Sequence, residues 1–574
     1  MTTLIASLFF VWVELIGFDN TKPDFGVGEY LDRMPAKPQM VSLLLHNEGL
    51  FLSHEAGLPA DFTFPSSVAA YRARPFNRQR RRQEWTAFQL KGLVAELKRR
   101  DVEVFASFFA GEQYPVEQPR AEEVAGKLAT FLADYGFSGL HGSDGYAPPS
   151  FLLPECADAD RPRIARERAA KYAANWQTFV SALKPKGMKV WINTCWTRDP
   201  FEALYRYGVD YRLLAKTGID GFIVECSAAA QSALGWNYQE STPVDRATAM
   251  VMRLKASVPE MPLALLHAID DGAEQWSTFR HAPMLMSSEA LALGSVFYGE
   301  KRALDGVLAC LGDGLSKDEW AKFGRVWKLA FAPAKGPVGA RVVWSDRAFD
   351  AEFDACTVSH DASSNTLLGE LIRHGTPLNA IVSVEQALSD KDMPIVILNP
   401  KFFPADELAA LRARTGYVCE VGRGARGSDD SEYVLIPKDT PPFPGMPKER
   451  SCYWKRPIPE NLPPDAVFKR AQSVLSWLAF PFTTETHGLR VFGYRMANGR
   501  MAILGRNESD AYMDAAIGFG GMCGTTNVIS DVLVHTEYPA MPIRTTLRGR
   551  IAPHDTMFIS VGSHECPLPS SPLE

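Results

Sequence analysis

From the N-terminus to residue 334, short apolar runs alternate with stretches whose apolar residues recur every three to four positions. The short runs are Leu8 to Ile16, Met40 to His46, Glu103 to Phe109, Phe137 to His141, Lys189 to Thr194, Gly221 to Glu225, Pro262 to His267, Pro283 to Ser288 and Gly306 to Leu311. Runs such as KVWIN and GFIVE are apolar on both faces, as parallel strands covered by helices must be. Between them, Trp85 to Arg100 carries Phe88, Leu90, Leu93, Val94 and Leu97 at helical spacing, and Arg163 to Leu183 carries Ile164, Tyr172, Trp176 and Phe179. This alternation predicts an α/β fold, a (β/α)8 TIM barrel over residues 1–334. Nine runs compete for eight strand positions, so the strand count is open. With Leu8 to Ile16 as the first strand, HGSD closes the fourth and Glu225 the sixth; with Met40 to His46 first, Asp144 closes the third, Glu225 the fifth and Glu289 the seventh.

Beyond the barrel the period changes. Residues 335–435 read strand (Ala340 to Trp344), helix (Leu367 to His374), strand (Asn379 to Val382), strand (Pro394 to Leu398), helix (Ala405 to Arg414) and strand (Gly416 to Val421), a small flavodoxin-like domain. It holds no cysteine elbow, which favours a structural or oligomerising role. Residues 436–465 form a Pro-rich linker. Residues 466–574 open with a helix (Ala466 to Leu478) and continue as alternating runs around an Asn498-Gly499 turn, predicting a β-sandwich.

Composition narrows the function. In 574 residues, 67 acids against 61 bases give a net charge of -6, so no global basic field points to nucleic acid or anionic membrane. The basic run Arg72 to Arg82 reads as a solvated or subunit-contacting segment. Nine scattered cysteines without CxxC spacing suggest free thiols in a reducing compartment, and the chain is expected to be cytoplasmic. Leu4 to Phe18 looks like a signal-peptide core, but no Lys or Arg precedes it and Glu14 interrupts it, which favours a buried strand. No HExxH or H-x-H spacing supports a metal, and no cofactor is expected.

In a (β/α)8 barrel, polar residues at the C-terminal ends of strands carry the chemistry. That filter selects His46, with neighbours Asn47 and Glu48, and Glu14. It also selects His141, Asp144 and Tyr146 in HGSDGY; Asn193 and Trp196 in NTCWTRD; Glu225; His267 and Asp270 in HAIDD; and Glu289 in SSE. Carboxylates, histidines and aromatic rings at one mouth suit glycosidic chemistry. One carboxyl protonates the leaving oxygen, a second attacks the anomeric carbon or activates water, and rings stack on sugars. Asp144, Glu225 and Glu289 are the catalytic candidates, two of them sufficing. His46, His141, Tyr146, Asn193, Trp196, His267 and Asp270 are the substrate-binding candidates. Each also has a structural reading: Asp144 as a turn residue, Glu289 as a helix-start acid, Asp270 as a cap.

The order of barrel, catalytically empty flavodoxin-like domain and β-sandwich resembles the family 42 β-galactosidases. That resemblance implies a glycoside hydrolase acting on an oligosaccharide or glycoside, paired catalytic carboxyls after the fourth and seventh strands, and a trimer or dimer assembled through the middle domain. The Asn-Glu pair such enzymes carry after the fourth strand is absent here. Two other readings fit the same residues. One is a non-catalytic carbohydrate-binding or scaffold protein that keeps the barrel. The other is a metal-dependent lyase or isomerase using His141, Asp144, Glu225 and His267.

Overall fold

A computed structural model of the chain describes residues 7–45, 63–65, 83–108, 120–142, 153–195, 199–225, 244–268, 289–310, 315–355, 362–425, 434–435, 461–462, 465–478, 480–484, 486–509, 511–520, 526–530, 534–538 and 544–562. The Arg72 to Arg82 run and most of the proline-rich linker lie outside these residues.

Eight parallel strands close a barrel: β1 (Leu8–Glu14), β2 (Met40–Leu45), β3 (Glu103–Phe108), β4 (Gly139–Gly142), β5 (Lys189–Asn193), β6 (Gly221–Glu225), β7 (Leu263–Ala268) and β8 (Gly306–Cys310). β1 pairs with both β2 and β8, so the apolar N-terminal run is a barrel strand. This settles the count: HGSD follows the fourth strand and Glu225 ends the sixth. β7 pairs directly with β8, leaving no barrel position for the ninth run at Pro283 to Ser288, which lies outside the described residues.

The helices form where spacing and caps coincide. Ala87–Arg99 starts at a Thr86–Gln89 capping box and buries Leu90, Leu93, Val94 and Leu97. Arg161–Leu183 buries Tyr172, Trp176 and Phe179. Lys317–Ala330 starts at a Ser316–Glu319 capping box and packs Trp320, Phe323 and Trp327 around Phe9 of β1.

Alternate residues of the strands fill the lumen. Phe10, Trp12, Met40, Leu44, Phe105, Trp191, Ile223, Ala264, Leu266, Leu308 and Cys310 form one internal cluster. Large side chains fit because small ones face them: a Cβ at Gly221 would collide with the Trp191 ring, and one at Gly139 with the Lys189 carbonyl and the Phe105 ring.

The middle sheet has strand order Lys301–Arg302, Phe297–Tyr298, Ala380–Ser383, Arg341–Trp344, Ile395–Leu398, Val418–Val421, and is parallel apart from the Phe297–Arg302 hairpin. That hairpin comes from the chain between β7 and β8. The C-terminal part is antiparallel, with a six-stranded sheet and a three-stranded sheet. The hairpin predicted at Asn498-Gly499 joins Leu489–Met496 to Met501–Asn507, with Gly499 at φ +86°. Ala334–Pro337, from the end of the barrel segment, pairs with Leu489–Met496. Among the described residues no helix is long and apolar enough to cross a membrane.

Candidate active site

Among the described residues, several inward positions near the C-terminal ends of the strands are polar, Glu14 two residues after Trp12 on β1 among them. Ser42 lies between Met40 and Leu44 on β2, Ser107 two residues after Phe105 on β3, Asn193 two after Trp191 on β5, and Glu225 two after Ile223 on β6. His141 joins them from β4. All of these are buried.

Ser42, His141, Asn193 and Glu225 are linked in a row, and its direction can be worked out. The Asn193 amide nitrogen donates to Glu225 Oε2 at 3.1 Å, so its carbonyl oxygen faces His141 Nε2 at 2.7 Å. A carbonyl only accepts, hence Nε2 carries the ring proton. Burial pushes the His141 pKa down to about 4, with the Asn193 hydrogen bond opposing, so the ring is neutral and its bare Nδ1 accepts from the Ser42 hydroxyl at 2.9 Å. The row runs Ser42 to His141 to Asn193 to Glu225, every donor pointing toward the carboxylate. Trp12 sets the ring plane, its indole meeting His141 edge-on at 5.0 Å.

The strand ends are fixed as well. The Glu225 N–H donates to Thr194 Oγ1 at 3.0 Å, and the Thr194 N–H to the Ile223 carbonyl at 2.8 Å. The Cys195 N–H donates to the Tyr211 hydroxyl oxygen at 2.9 Å. Asp199 caps Pro200–Tyr207 and is held by Arg253 at 3.2 Å, both inside the protein. Burial raises the Asp199 pKa, and Arg253 acts against that rise.

Among the described residues, Glu14 and Glu225 are the carboxylates that end barrel strands, and both are buried. His141 and Asn193 are brought together with Glu225. His267 lies on β7, its backbone in register with Ala309 of β8. His46, Asp144, Tyr146, Trp196 and Asp270 lie outside the described residues; Asp144 follows the last residue of β4 by two positions. Glu289 starts a helix at 289–294, is fully buried, and its charge acts on Arg506 of the C-terminal sheet. Ser42, Ser107 and Trp12 were not among the residues singled out from the sequence. For the serines the only signal is a hydroxyl at an inward-parity position of the strand, which gains meaning once His141 is placed beside it.

The fold defines a class: a (β/α)8 barrel followed by a parallel-sheet domain and an antiparallel C-terminal part. No family model matches the sequence, and no curated protein resembles it significantly. Among solved structures, the β-galactosidase from the psychrophilic Marinomonas ef1 is similar over 96% of this chain and 99% of its own, with a TM-score of 0.54 and 9% identity. A GH42 β-galactosidase, Gan42B, is similar over 97% and 98%, with a TM-score of 0.49 and 10% identity. GH5_18 from Streptomyces cattleya, solved with GlcNAc, covers 72% of this chain at 13% identity, with a TM-score of 0.41. The nearly full-length likeness to the Marinomonas enzyme bears out the architecture expected from the sequence; at this identity it speaks to fold.

Proposed function

We propose that the protein is a glycoside hydrolase in which Glu225 is one working carboxylate and Asp144, just past β4, is the other. The observation that carries this reading is the directed row ending on Glu225. Three neutral groups are oriented so that a donor meets Oε2, an arrangement that pre-organises a carboxylate to act as nucleophile or base. The acid role then falls to Asp144. Glu289, tied electrostatically to the C-terminal sheet, serves the structure. The substrate is an oligosaccharide or glycoside, and the middle domain assembles copies into a dimer or trimer.

The test is a panel of p-nitrophenyl glycosides and unmodified disaccharides, with released sugar measured by chromatography. Turnover by the wild type, lost in Glu225→Gln and Asp144→Asn, is expected. Saccharide binding without turnover would favour a non-catalytic binding protein, and full activity in Glu225→Gln would remove that residue. The anomer first released reports whether the carboxyls stand about 5.5 Å apart, giving retention, or roughly 6.5 to 9.5 Å apart, giving inversion.

A further inference from the structure

One hairpin of the C-terminal sheet, Leu489–Met496 with Met501–Asn507, places its arginines toward the next described helices after β6 and β7, Arg490 beside Asp245 and Arg506 within the field of Glu289. The first, Val244–Ser257, is buried along almost its whole length, with Ser364–Arg373 of the middle domain packed along it. Asp245 in its first turn is 1% exposed, and its Oδ2 lies 3.7 Å from Arg490 Nη2. Near the other end of that helix, Arg253 holds Asp199 and lies 5.0 Å over the Trp344 ring.

The second helix, 289–294, begins at the buried Glu289. Arg506, fully buried on the hairpin's other strand, is held by Glu508 at 2.5 Å and by Thr556 at 3.3 Å, and Glu289 adds its attraction. Just past this helix, the Asn379 amide nitrogen donates both to the Ser295 carbonyl at 2.7 Å and to the Gly493 carbonyl at 3.0 Å, tying barrel segment, middle domain and hairpin together. The Arg302 guanidinium lies over Phe297 at 5.4 Å and over Tyr494 at 4.7 Å.

We infer that this hairpin is a positioning element of the barrel: Arg490 and Arg506 fix the starts of the helices that follow β6 and β7, and so hold the half of the barrel that carries Glu225. Charges this deeply buried are costly to leave uncompensated, so the Arg490–Asp245 contact and the attraction between Arg506 and Glu289 act as specific constraints rather than loose surface contacts. The link to turnover rests on the glycosidase reading; the mechanical link does not.

The experiment uses the full chain carrying Arg490→Gln, Arg490→Lys, Arg506→Gln or, as a control, Arg99→Gln in its exposed pair with Glu96. Hydrogen exchange should speed up by about tenfold or more in 244–257 for Arg490→Gln and in 289–294 for Arg506→Gln, but not in 121–135 or 161–183, with partial recovery in Arg490→Lys. In parallel, kcat on the best glycoside of the panel should fall more than KM rises. Unchanged exchange in both helices, or a uniform rise through all four, would overturn the inference, as would local loosening that leaves kcat intact. A wild type that turns over no glycoside would sink the catalytic reading separately, with exchange still deciding whether the brace exists.

Discussion

His141 Nε2 and Asn193 Oδ1 stand 2.7 Å apart inside the barrel, and this contact sets the orientation of both side chains. With the carbonyl committed to His141, the Asn193 amide can only donate toward Glu225. Replacing Asn193 by Ala should cut kcat/KM by about a hundredfold, the scale of losing one pre-organised donor. Steady-state kinetics on the best glycoside would check this, and an unchanged kcat/KM would show that Glu225 needs no such orientation.

Ser42 acts one step further away. Its hydroxyl reaches Nδ1, so Ser42→Ala should leave the ring nitrogen without a donor and cost about 1 kcal/mol of stability. Nitrogen-15 spectra of labelled His141 should show the Nε2–H tautomer in the wild type and a mixture in the variant. A wild-type ring protonated on Nδ1 would reverse the direction of the row.

The same ring makes stability depend on pH. Its folded pKa is lowered to about 4 from an unfolded value near 6.5. Above pH 6.5 neither state binds the proton and the contribution is flat. As pH falls from 6.5 toward 4 only the unfolded chain takes it up, so stability is lost across that window, up to about 3 kcal/mol. Urea denaturation at pH 7.5, 6 and 5 should show a steeper loss for the wild type than for His141→Gln; parallel losses would mean the imidazole is accessible to the proton.

Gly221 leaves room for the Trp191 ring. Gly221→Ala should overpack the lumen and cost about 1–3 kcal/mol, with a lowered melting temperature and altered tryptophan fluorescence. A neutral substitution would mean that the ring can move aside without loss.

Ser316→Ala removes the capping box of Lys317–Ala330 and should cost about 1 kcal/mol while leaving kcat unchanged, since this helix packs on Phe9 far from Glu225 in the strand order. Thermal melts and turnover of the same preparation would separate the two effects.

The barrel was legible because its strands are apolar on both faces and its helices are not, a contrast that survives without any tertiary information. The strand count was not, because Leu8 to Ile16 and Pro283 to Ser288 both qualify as short apolar-led runs, and only the pairing of β1 with β2 and β8 decides for the first. Glu225 could be read from its place after four apolar residues. The serines could not, since a single hydroxyl in MVSLLL gains meaning only when parity places it beside a histidine from two strands away. Glu289 looked like a strand-end acid; the partner that gives its burial sense lies over two hundred residues later, at Arg506.

The exchange of strands between units bears on how the chain is made. Leu8 finds one of its partners only once Gly306 has been synthesised, Phe297 waits for Ala380, and Ala334 waits for Met496. Among the described residues, neither the barrel nor the middle sheet is complete before the next large sheet has begun, so the growing chain carries open β-edges for most of its synthesis. Ribosome-associated chaperones that shield such edges should therefore raise the yield of folded protein.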